Sequence, residues 1–488
     1  MVTLRLSCPI IVKPQAKLPI LGLARNQQKH LSKLPSSFPA SLYICSSQEP
    51  HYPIPLFPPV DQSVAAVVFG DGSESRLYPL TKRRSEGAIP LAANYRLVDA
   101  VISNCINSNI NKIYALTQFN STSLNLHLSR AFSGILRGKD GFVEVIAAYQ
   151  SLEDQDWFQG NADAIRRCLW VLEEYPVTEF LILPGHHLYK MDYQRLIEAH
   201  RNNKADITIV ALNAIRDKHP GFGFLRVNPA NQVIEFSMKS EREKISSISG
   251  KSSRKSDSVA SGNFPSMGIY LINRDSMSRL LKEYLPEATD LGSEVIPAAI
   301  SIGMKVEAYL FDGYWEDMRS IEAFYHANME CIKRSNMRYN FYDRDCPVYT
   351  MPRCLPPTMI REAVIIDSVV GDGCIINRCK IKGTIIGMRT RIGDGAVIEH
   401  SVIMGADFYQ DIQSSGKCIN HKAIPVGIGE DTRIKKAVID KNARIGKNVL
   451  IINKDGVQEG DREANGYIIS EGIVVILHGA EIADGSII

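Results

Sequence analysis

Between residues 64 and 212, short apolar runs alternate with segments whose apolar residues recur at helical spacing. The apolar runs have the length of buried strands and cover residues 64–69, 113–116, 180–183 and 207–212. The helical segments between them cover residues 97–106, 165–172 and 196–197. This alternation predicts a mostly parallel, Rossmann-like α/β sheet with right-handed crossovers, whose ligands bind beyond the carboxyl ends of the strands. The candidate site therefore lies at residues 70–76 and 184–192.

A different period governs the last part of the chain, where aliphatic residues recur every six positions. One inward aliphatic and one small residue per repeat is typical of a parallel β-helix, whose rungs bury their faces by stacking. An ordinary β-sandwich with accidental spacing is the alternative. Residues 407–425 lack the period and predict a loop out of the coil. The repeat positions are Val370, Ile376, Ile386, Ile392, Ile398, Met404, Ile428, Ile434, Ile445 and Ile451.

The start of the chain differs from the rest in composition. It carries basic side chains, recurrent serine and proline, and no acid before Glu49. Such a leader predicts an organelle transit peptide, with a disordered basic tail as the alternative, and composition does not choose plastid from mitochondrion. A proline-rich stretch at 53–59 links it to the first domain, and the Ser- and Lys-rich residues 246–262 predict a solvent loop.

Bulk composition excludes several classes of function. The chain has 488 residues, of which 45% are hydrophobic and 22% charged, as in an ordinary globular protein. A net charge of +3 is too small to indicate nucleic acid, and no apolar run approaches the ~18 residues of a membrane span. We therefore expect neither nucleic acid nor a membrane as partner. The ten cysteines form no CxxC pair, which favours reduced thiols over a zinc site.

Specific segments resemble one protein family. The run RLYPLT at residues 76–81 is similar to the nucleotide-loop motif of sugar-1-phosphate nucleotidyltransferases. From about residue 64 to the C-terminus, the chain resembles the plant ADP-glucose pyrophosphorylase small subunits. The segments that carry this second resemblance are NYRLVD (94–99), LTQFNS (116–121), WFQG (157–160), SMGIY (266–270), GSEVIP (292–297) and DGYWED (312–317).

The resemblance implies an enzyme of starch synthesis in the chloroplast or plastid stroma. Such an enzyme makes ADP-glucose and pyrophosphate from ATP and glucose 1-phosphate, uses Mg²⁺, and assembles as a heterotetramer of large and small subunits. It also implies that the β-helix is left-handed. On this basis we assign residues 1–60 to a transit peptide and linker, 61–345 to a nucleotidyltransferase-like domain and 346–488 to the β-helix domain.

The nucleotide loop departs from the family's pattern. Attack of a sugar phosphate on the α-phosphorus of ATP gathers negative charge, so it requires loop amides, cations and a metal held by carboxylates. Where the family has Gly-Gly-Gly-x-Gly-Thr-Arg, this chain keeps Gly70, Gly72 and Arg76 but carries acids at Asp71 and Glu74. Their side chains obstruct close backbone approach, and their charges repel a triphosphate.

The phosphate and metal positions also change. A lysine that the family places after the loop is Glu86 here, and the metal-binding Asp of its Ala-Gly-Asp-His-Leu-Tyr segment is His186. Imidazole suits Mg²⁺ poorly, because this ion prefers oxygen ligands. The second expected metal ligand, Asp317, is kept, but the glycine two positions later is Arg319. Adjacent histidines alone do not indicate zinc, so we interpret His186 and His187 as surface or supporting histidines.

The resemblance assigns sugar and base contacts to a further set of residues. In the segment at 238–240, only Lys239 is kept, and we expect it to contact the phosphate of glucose 1-phosphate. The family's Gly-Thr-Ala base contact becomes Gly160, Asn161 and Ala162. The matched positions are Gln118, Gly160, Gly223, Lys239, Ser266 and Glu294.

Regulation is predicted to change as well. The resemblance implies that Arg84, Arg96 and Lys441 bind the activator 3-phosphoglycerate, but a further activator lysine of the family is Ser470 here. The N-terminal cysteine motif that links small subunits is missing, and Cys45 stands in a different context. Neither activator binding nor that disulfide can therefore be assumed.

Three functions stay open at this point. We favour a folded but catalytically inactive relative that is a partner or regulatory subunit, or that has no surviving role. The first alternative is a weakly active adenylyltransferase, rescued by Asp317 and another ligand. The second is a hexapeptide-repeat acyltransferase that uses a histidine such as His400, which would leave the N-terminal domain unexplained.

Overall fold

The computed structural model describes residues 57–70, 76–136, 141–148, 156–213, 221–238, 263–333, 339–410 and 424–488. The predicted transit peptide, the predicted loop at 246–262 and most of the predicted loop at 407–425 lie outside these ranges. Four predicted site residues also lie outside them, namely Asp71, Gly72, Glu74 and Lys239. No helix within the described ranges is long and apolar enough to cross a membrane.

The strands and helices of the first domain follow the predicted pattern. The strands are β1 (Val64–Phe69), β2 (Pro90–Leu91), β3 (Tyr95–Arg96), β4 (Lys112–Thr117), β5 (Phe142–Ala147), β6 (Glu179–Pro184), β7 (His187–Tyr189), β8 (Ile207–Leu212), β9 (Phe224–Val227), β10 (Val233–Ser237), β11 (Asn263–Asn273), β12 (Val306–Phe311) and β13 (Trp315–Asp317). The α-helices are α1 (Val60–Ser63), α2 (Leu97–Asn107), α3 (Thr122–Ala131), α4 (Ser133–Leu136), α5 (Asn161–Leu172), α6 (Tyr193–Asn202), α7 (Arg274–Arg279), α8 (Ile296–Ile302) and α9 (Ile321–Glu330). Each predicted strand and helix falls within one of these elements.

Among the described residues, a nine-stranded sheet forms the centre of this domain. Its strands β5, β4, β1 and β6 are neighbours in that order and run parallel, and β12 runs parallel to β8. Strand β11 is antiparallel to both β6 and β8 and so joins the two parallel parts. The predicted mostly parallel α/β sheet is confirmed.

Apolar side chains cover both faces of the sheet. In the neighbouring strands β1 and β6, Val67 and Phe180 belong to one core cluster, and Val68 and Leu181 to the other. All four side chains are fully buried. A parallel strand covered on both faces must be apolar at successive positions, which explains the uninterrupted apolar run of β1.

In the part of the chain that the structure describes, the C-terminal region is a β-helix with three sheets of six, five and seven strands. Ile376 lies opposite Ile392 in one sheet, and Ile398 lies opposite Ile434 in another, so equivalent aliphatic residues stack inside the coil. The predicted parallel β-helix is confirmed, and the sandwich alternative is wrong. The strands are β14 (Met359–Arg361), β15 (Val364–Ile366), β16 (Val369–Val370), β17 (Ile375–Asn377), β18 (Lys380–Lys382), β19 (Ile385–Ile386), β20 (Arg391–Ile392), β21 (Val397–Glu399), β22 (Val402–Ile403), β23 (Gly427–Ile428), β24 (Arg433–Lys435), β25 (Ala437–Ile439), β26 (Arg444–Ile445), β27 (Leu450–Ile451), β28 (Gly460–Arg462), β29 (Tyr467–Ser470), β30 (Ile473–Ile476) and β31 (Glu481–Ile482).

The coil packs against the α/β domain through an apolar contact. Leu80 and Phe324 of the first domain share a buried cluster with Met404 and Val438 of the coil. The hydroxyl of Tyr325, on α9, donates to the carbonyl oxygen of a coil residue at 2.7 Å. The coil residue is His400, the histidine of the acyltransferase alternative. It lies at a corner of the coil with a left-handed φ of 46°.

Candidate functional site

A cavity of about 640 Å³ opens beyond the carboxyl ends of β1, β4 and β6. Gln118, directly after β4, and Gly160, directly before α5, line its wall. A Cβ atom at Gly160 would lie 2.3 Å from the carbonyl oxygen of Thr289, so close backbone packing requires glycine here. The structure thus brings two of the predicted sugar and base contacts to one cavity at the predicted edge of the sheet.

Three further predicted contacts lie beside the cavity wall. Ser266 is fully buried, and its hydroxyl accepts a hydrogen bond from the amide of Gly268 at 3.1 Å. The Glu294 carboxylate accepts from the hydroxyl of Thr289 at 2.7 Å, and this hydrogen bond lowers the pKa of Glu294. Their neighbours Phe222, Gly268 and Ser293 line the cavity, whereas Gly223, Ser266 and Glu294 lie within two positions of these lining residues along the chain.

The described ends of the nucleotide loop, Gly70 and Arg76, are hydrogen-bonded to Leu116 and Arg319, two residues that line the same cavity. The amide of Gly70 donates to the carbonyl oxygen of Leu116 at 2.9 Å, which fixes the loop's first residue against β4. The Arg76 side chain is exposed, and its backbone amide donates to the carbonyl oxygen of Arg319 at 2.9 Å. The backbone of the retained loop arginine is therefore hydrogen-bonded to that of Arg319, the arginine that stands where the family has glycine.

The two changed charge positions, Glu86 and His186, lie together. Glu86 begins a short 3₁₀ turn, and His186 occupies the tight turn between β6 and β7. Their side chains are buried, and Nδ1 of His186 lies 3.4 Å from Oε2 of Glu86. On its other side, Nε2 of His186 lies 3.8 Å from Oδ1 of Asp317. The imidazole ring therefore stands between the two carboxylates.

This burial corrects part of our sequence interpretation. His186 is 2% exposed and His187 is fully buried, so the prediction of surface histidines is wrong. The spacing of adjacent residues gave no sign of this, because His186 lies in a turn and not in a regular strand. Burial lowers the pKa of His186, although Glu86 and Asp317 oppose the shift. Burial lowers the pKa of His187 further, so both imidazoles are neutral near pH 7.

Arg319 forms an ion pair with the retained metal carboxylate. Its Nε lies 3.1 Å from each oxygen of Asp317, and its Nη2 lies 2.9 Å from Oδ2. The guanidinium also lies 4.3 Å from the ring centroid of Phe222, a cation–π contact, and it lines the cavity. A fixed cation of the chain therefore already compensates the charge of Asp317.

These donors do not fit the Mg²⁺ ion that the resemblance implies. Mg²⁺ requires near-octahedral oxygen coordination. Here the imidazole of His186 fills the space between Glu86 and Asp317, and both oxygens of Asp317 accept from Arg319. An ion that bridged the carboxylates of Glu86 and Asp317 would have to displace both the guanidinium of Arg319 and the imidazole of His186.

The three predicted activator residues form a second cluster, where the first domain meets the coil. Arg84 is buried and donates to Asp440 at 2.5 Å, beside a cavity of about 330 Å³. Lys441 pairs with Asp407, and burial lowers its pKa, with further lowering from Arg96 and Arg84. Burial likewise lowers the pKa of Arg96 to about 10.

Acids of the chain accompany this second cluster, and sequence reasoning missed them. Besides the pairs above, Lys82 pairs with Glu463, which also accepts from the hydroxyl of Tyr78 at 2.6 Å. Sequence reasoning thus missed Asp440 and Glu463 at the second cluster.

At the first site, sequence reasoning did not predict His187 or Phe222 as site residues. Asp440 adjoins the predicted Lys441, so the sequence offered a signal for Asp440. Phe222 and Glu463 approach their cationic partners only through the tertiary fold.

Comparison with known proteins agrees with this geometry. Residues 65–334 match the nucleotidyl transferase family, and residues 353–487 match the GLGC left-handed parallel beta-helix domain. The chain is 59% identical over 466 residues to the "inactive glucose-1-phosphate adenylyltransferase small subunit 2, chloroplastic" of Arabidopsis thaliana, covering 95% of each protein. It is 49% identical over 439 residues to the "glucose-1-phosphate adenylyltransferase small subunit, chloroplastic/amyloplastic" of Triticum aestivum, covering 89% of this chain and 93% of the wheat protein.

These matches define a nucleotidyl transferase fold joined to a left-handed β-helix. The chain belongs to the family of glucose-1-phosphate adenylyltransferase small subunits. The resemblance given by the sequence segments is thereby confirmed, and so is the plastid localisation that it implied.

Proposed function

We propose that this chain is a catalytically inactive small-subunit homologue that serves as a non-catalytic or regulatory subunit in starch synthesis. The Arabidopsis relative is named inactive and the wheat relative is named for the activity, so the relatives leave both outcomes open. The residues at the cavity support inactivity. Activity would require ATP and glucose 1-phosphate to meet beside Mg²⁺, at the site that these residues have changed.

The observation that carries the proposal is the ion pair between Arg319 and Asp317, beside the buried pair of His186 and Glu86. Arg319 occupies the carboxylate oxygens that a metal would use, and His186 offers nitrogen where the family offers oxygen. Loss of one preorganised electrostatic contact typically lowers a rate by about 10²–10³. These changes act on the same developing charge, so their effects are not expected to add simply.

We also propose that the chain assembles with large and small subunits of glucose-1-phosphate adenylyltransferase as a heterotetramer. The intact coil and its apolar contact with the α/β domain support this, because assembly requires a folded surface and no chemistry. Co-expression with a large subunit, followed by size-exclusion chromatography with light scattering, tests it. A chain that elutes alone beside an assembled large subunit would contradict it.

We infer that activator binding is weakened in such an assembly. Arg84, Lys441 and Lys82 each pair with an acid of the same chain, and those acids oppose binding of a phosphorylated activator.

We also propose that the domain boundaries lie near residues 60 and 345. The family matches at residues 65–334 and 353–487 are compatible with these boundaries.

Turnover by the purified full-length chain tests inactivity directly. ADP-glucose formation from ATP, glucose 1-phosphate and Mg²⁺ is measured beside the wheat small subunit, with and without a large subunit. We expect a rate lower by at least about 10³ for this chain. A cooperative thermal transition of the same sample shows that it is folded. A rate within a few-fold of the wheat protein would contradict inactivity. A low but measurable rate would instead support the weakly active alternative, which the retained Arg76, Asp317 and open cavity favour.

A further inference from the structure

The imidazoles of His186 and His187 are buried polar groups of an unusual kind. Neither nitrogen of either ring has a hydrogen-bond partner among the described residues. The carboxylate of Glu86 lies 3.4 Å from Nδ1 of His186, which is an ion-pair distance without hydrogen-bond alignment. Buried polar atoms nearly always have partners, so four such nitrogens in two adjacent rings require an explanation. His200, which is also buried, shows the ordinary arrangement, with Thr208 and Asn273 as partners.

The backbone holds both rings beside Asp317. His187 in β7 is the register partner of Asp317 in β13, and the amide of Met318 donates to the carbonyl oxygen of His186 at 3.2 Å. One donor atom from each of His186, His187 and Asp317 can be chosen so that all lie within 4.8 Å of one another. In a tetrahedral zinc site, donor atoms lie about 3.3 Å apart, so small side-chain rotations close the remaining gap.

We propose that His186, His187 and Asp317 form a binding site for a divalent transition-metal ion of the Zn²⁺ class. Two imidazoles and one carboxylate are a ligand set that Zn²⁺, Co²⁺ and Fe²⁺ prefer and that Mg²⁺ does not. His186 lines the cavity, so an ion reaches the site from that side and a water completes its coordination. The site differs from the implied Mg²⁺ site in its donor atoms, its metal class and its use of His187.

Glu86 has a defined part in this arrangement. Histidine ligands commonly direct their second ring nitrogen to a carboxylate, which fixes the tautomer and the ring orientation. Glu86 lies on the Nδ1 side of His186 at 3.4 Å, and Asp317 lies on the Nε2 side at 3.8 Å. Glu86 therefore positions His186 with Nε2 toward the ion. The changes at Glu86 and His186, which oppose nucleotide chemistry, thus both favour a transition-metal ion over Mg²⁺.

Arg319 is the competitor of the bound ion. Its guanidinium donates to both oxygens of Asp317, so a metal must share this carboxylate with Arg319 or displace the arginine. Arg319→Gly gives the residue that the family's pattern has at this position and removes the competing charge. The proposal therefore predicts that this substitution tightens metal binding, whereas a purely structural role of the cluster predicts no such gain.

Cobalt binding by the metal-free, full-length chain tests the proposal. Chelator-treated protein is titrated with Co²⁺ and followed by visible absorption, and Zn²⁺ is then added as a competitor. We expect one equivalent of Co²⁺ with tetrahedral d–d bands, displacement by one equivalent of Zn²⁺, and no displacement by millimolar Mg²⁺. Absence of stoichiometric binding would overturn the proposal, as would thiolate-to-metal charge-transfer bands, which would place the ion on cysteine.

Substitutions locate the ion within the fold. His187→Gln and His186→Asn are expected to abolish the bands, Glu86→Gln to weaken binding by about 10- to 100-fold, and Arg319→Gly to strengthen it. His200→Gln is the matched control, because this buried histidine has its own partners, and it should leave the bands unchanged. Bands that persist in both His186→Asn and His187→Gln would contradict the assignment. Should those two variants fail to fold, opposite shifts in Glu86→Gln and Arg319→Gly still decide it, and unchanged affinity in both would overturn it.

Discussion

The β-helix and the cavity of the α/β domain hold their side chains by different physics. In the coil, Ile376, Ile398 and Ile434 are 0–1% exposed and stack on equivalents in neighbouring rungs. At the cavity, a few charged side chains decide the chemistry. Glu86 reverses the charge of the family's lysine there, and Arg319 adds a positive charge where the family has glycine. Burial energy is spread over many contacts, whereas catalysis depends on a few preorganised charges. A chain can therefore lose its reaction and keep its fold.

Reversing the charge changes gives the largest expected effect on this comparison. The combined substitutions Glu86→Lys, His186→Asp and Arg319→Gly restore the family's residues at the three changed charge positions beside the cavity. We expect turnover to ADP-glucose to rise by about 10³-fold, because a metal carboxylate returns, a phosphate cation returns and Asp317 loses its competitor. Initial rates of ADP-glucose formation measure the gain.

The control for this gain is His326→Asp, which makes the same exchange at an exposed position of α9. It should leave the rate unchanged. A triple variant that folds like the parent and gains no activity would contradict the claim that these three charge positions block the reaction.

The contact between the two regions is the next most sensitive point. Asp440 of the coil compensates the buried guanidinium of Arg84 in the first domain, and their side chains are 1% and 7% exposed. Asp440→Ala leaves that charge unpaired, which we expect to lower the free energy of unfolding by about 3–5 kcal/mol. Urea denaturation followed by circular dichroism measures it. Glu430→Ala, at the exposed pair with Lys447, should cause no measurable change.

Truncation inside the coil tests the distributed side of the comparison. Ile398→Ala removes a fully buried side chain from the stack, and the resulting cavity should cost about 2–5 kcal/mol of unfolding free energy. Ile366→Ala is the matched control, because this side chain is 47% exposed on the same coil and should change stability by about 0.5 kcal/mol or less. Equal losses in the two variants would contradict the stacking account.

The smallest expected effect concerns pH. Burial lowers the pKa of His200 below its ordinary value of 6.5. The unfolded chain then binds more protons than the folded chain as pH falls through 6.5, so stability decreases on acidification. We expect His200→Gln to reduce this loss, as measured by thermal unfolding between neutral and mildly acidic pH. An identical pH dependence of the two proteins would contradict the buried, neutral state of His200.

The sequence predicted the fold well because periodicity reports burial directly. The apolar run of β1 and the six-residue spacing around Ile398 each describe one face of one element, and both were confirmed. The cavity was predicted in position, since strand ends converge at one edge. Its internal contacts were not predicted. Glu86 reaches His186, and Phe222 reaches Arg319, only after distant segments pack together, and no local pattern reports such pairs.

Binding of ATP with Mg²⁺ to the unmodified chain tests the central claim most directly. Isothermal titration calorimetry on the full-length protein compares it with the Glu86→Lys, His186→Asp, Arg319→Gly variant under the same conditions. The account predicts that Mg²⁺ adds no affinity for ATP in the unmodified chain and adds affinity in the variant. Equal, Mg²⁺-dependent binding of ATP by both proteins would contradict it, because the cavity's charges would then not have decided the loss of chemistry.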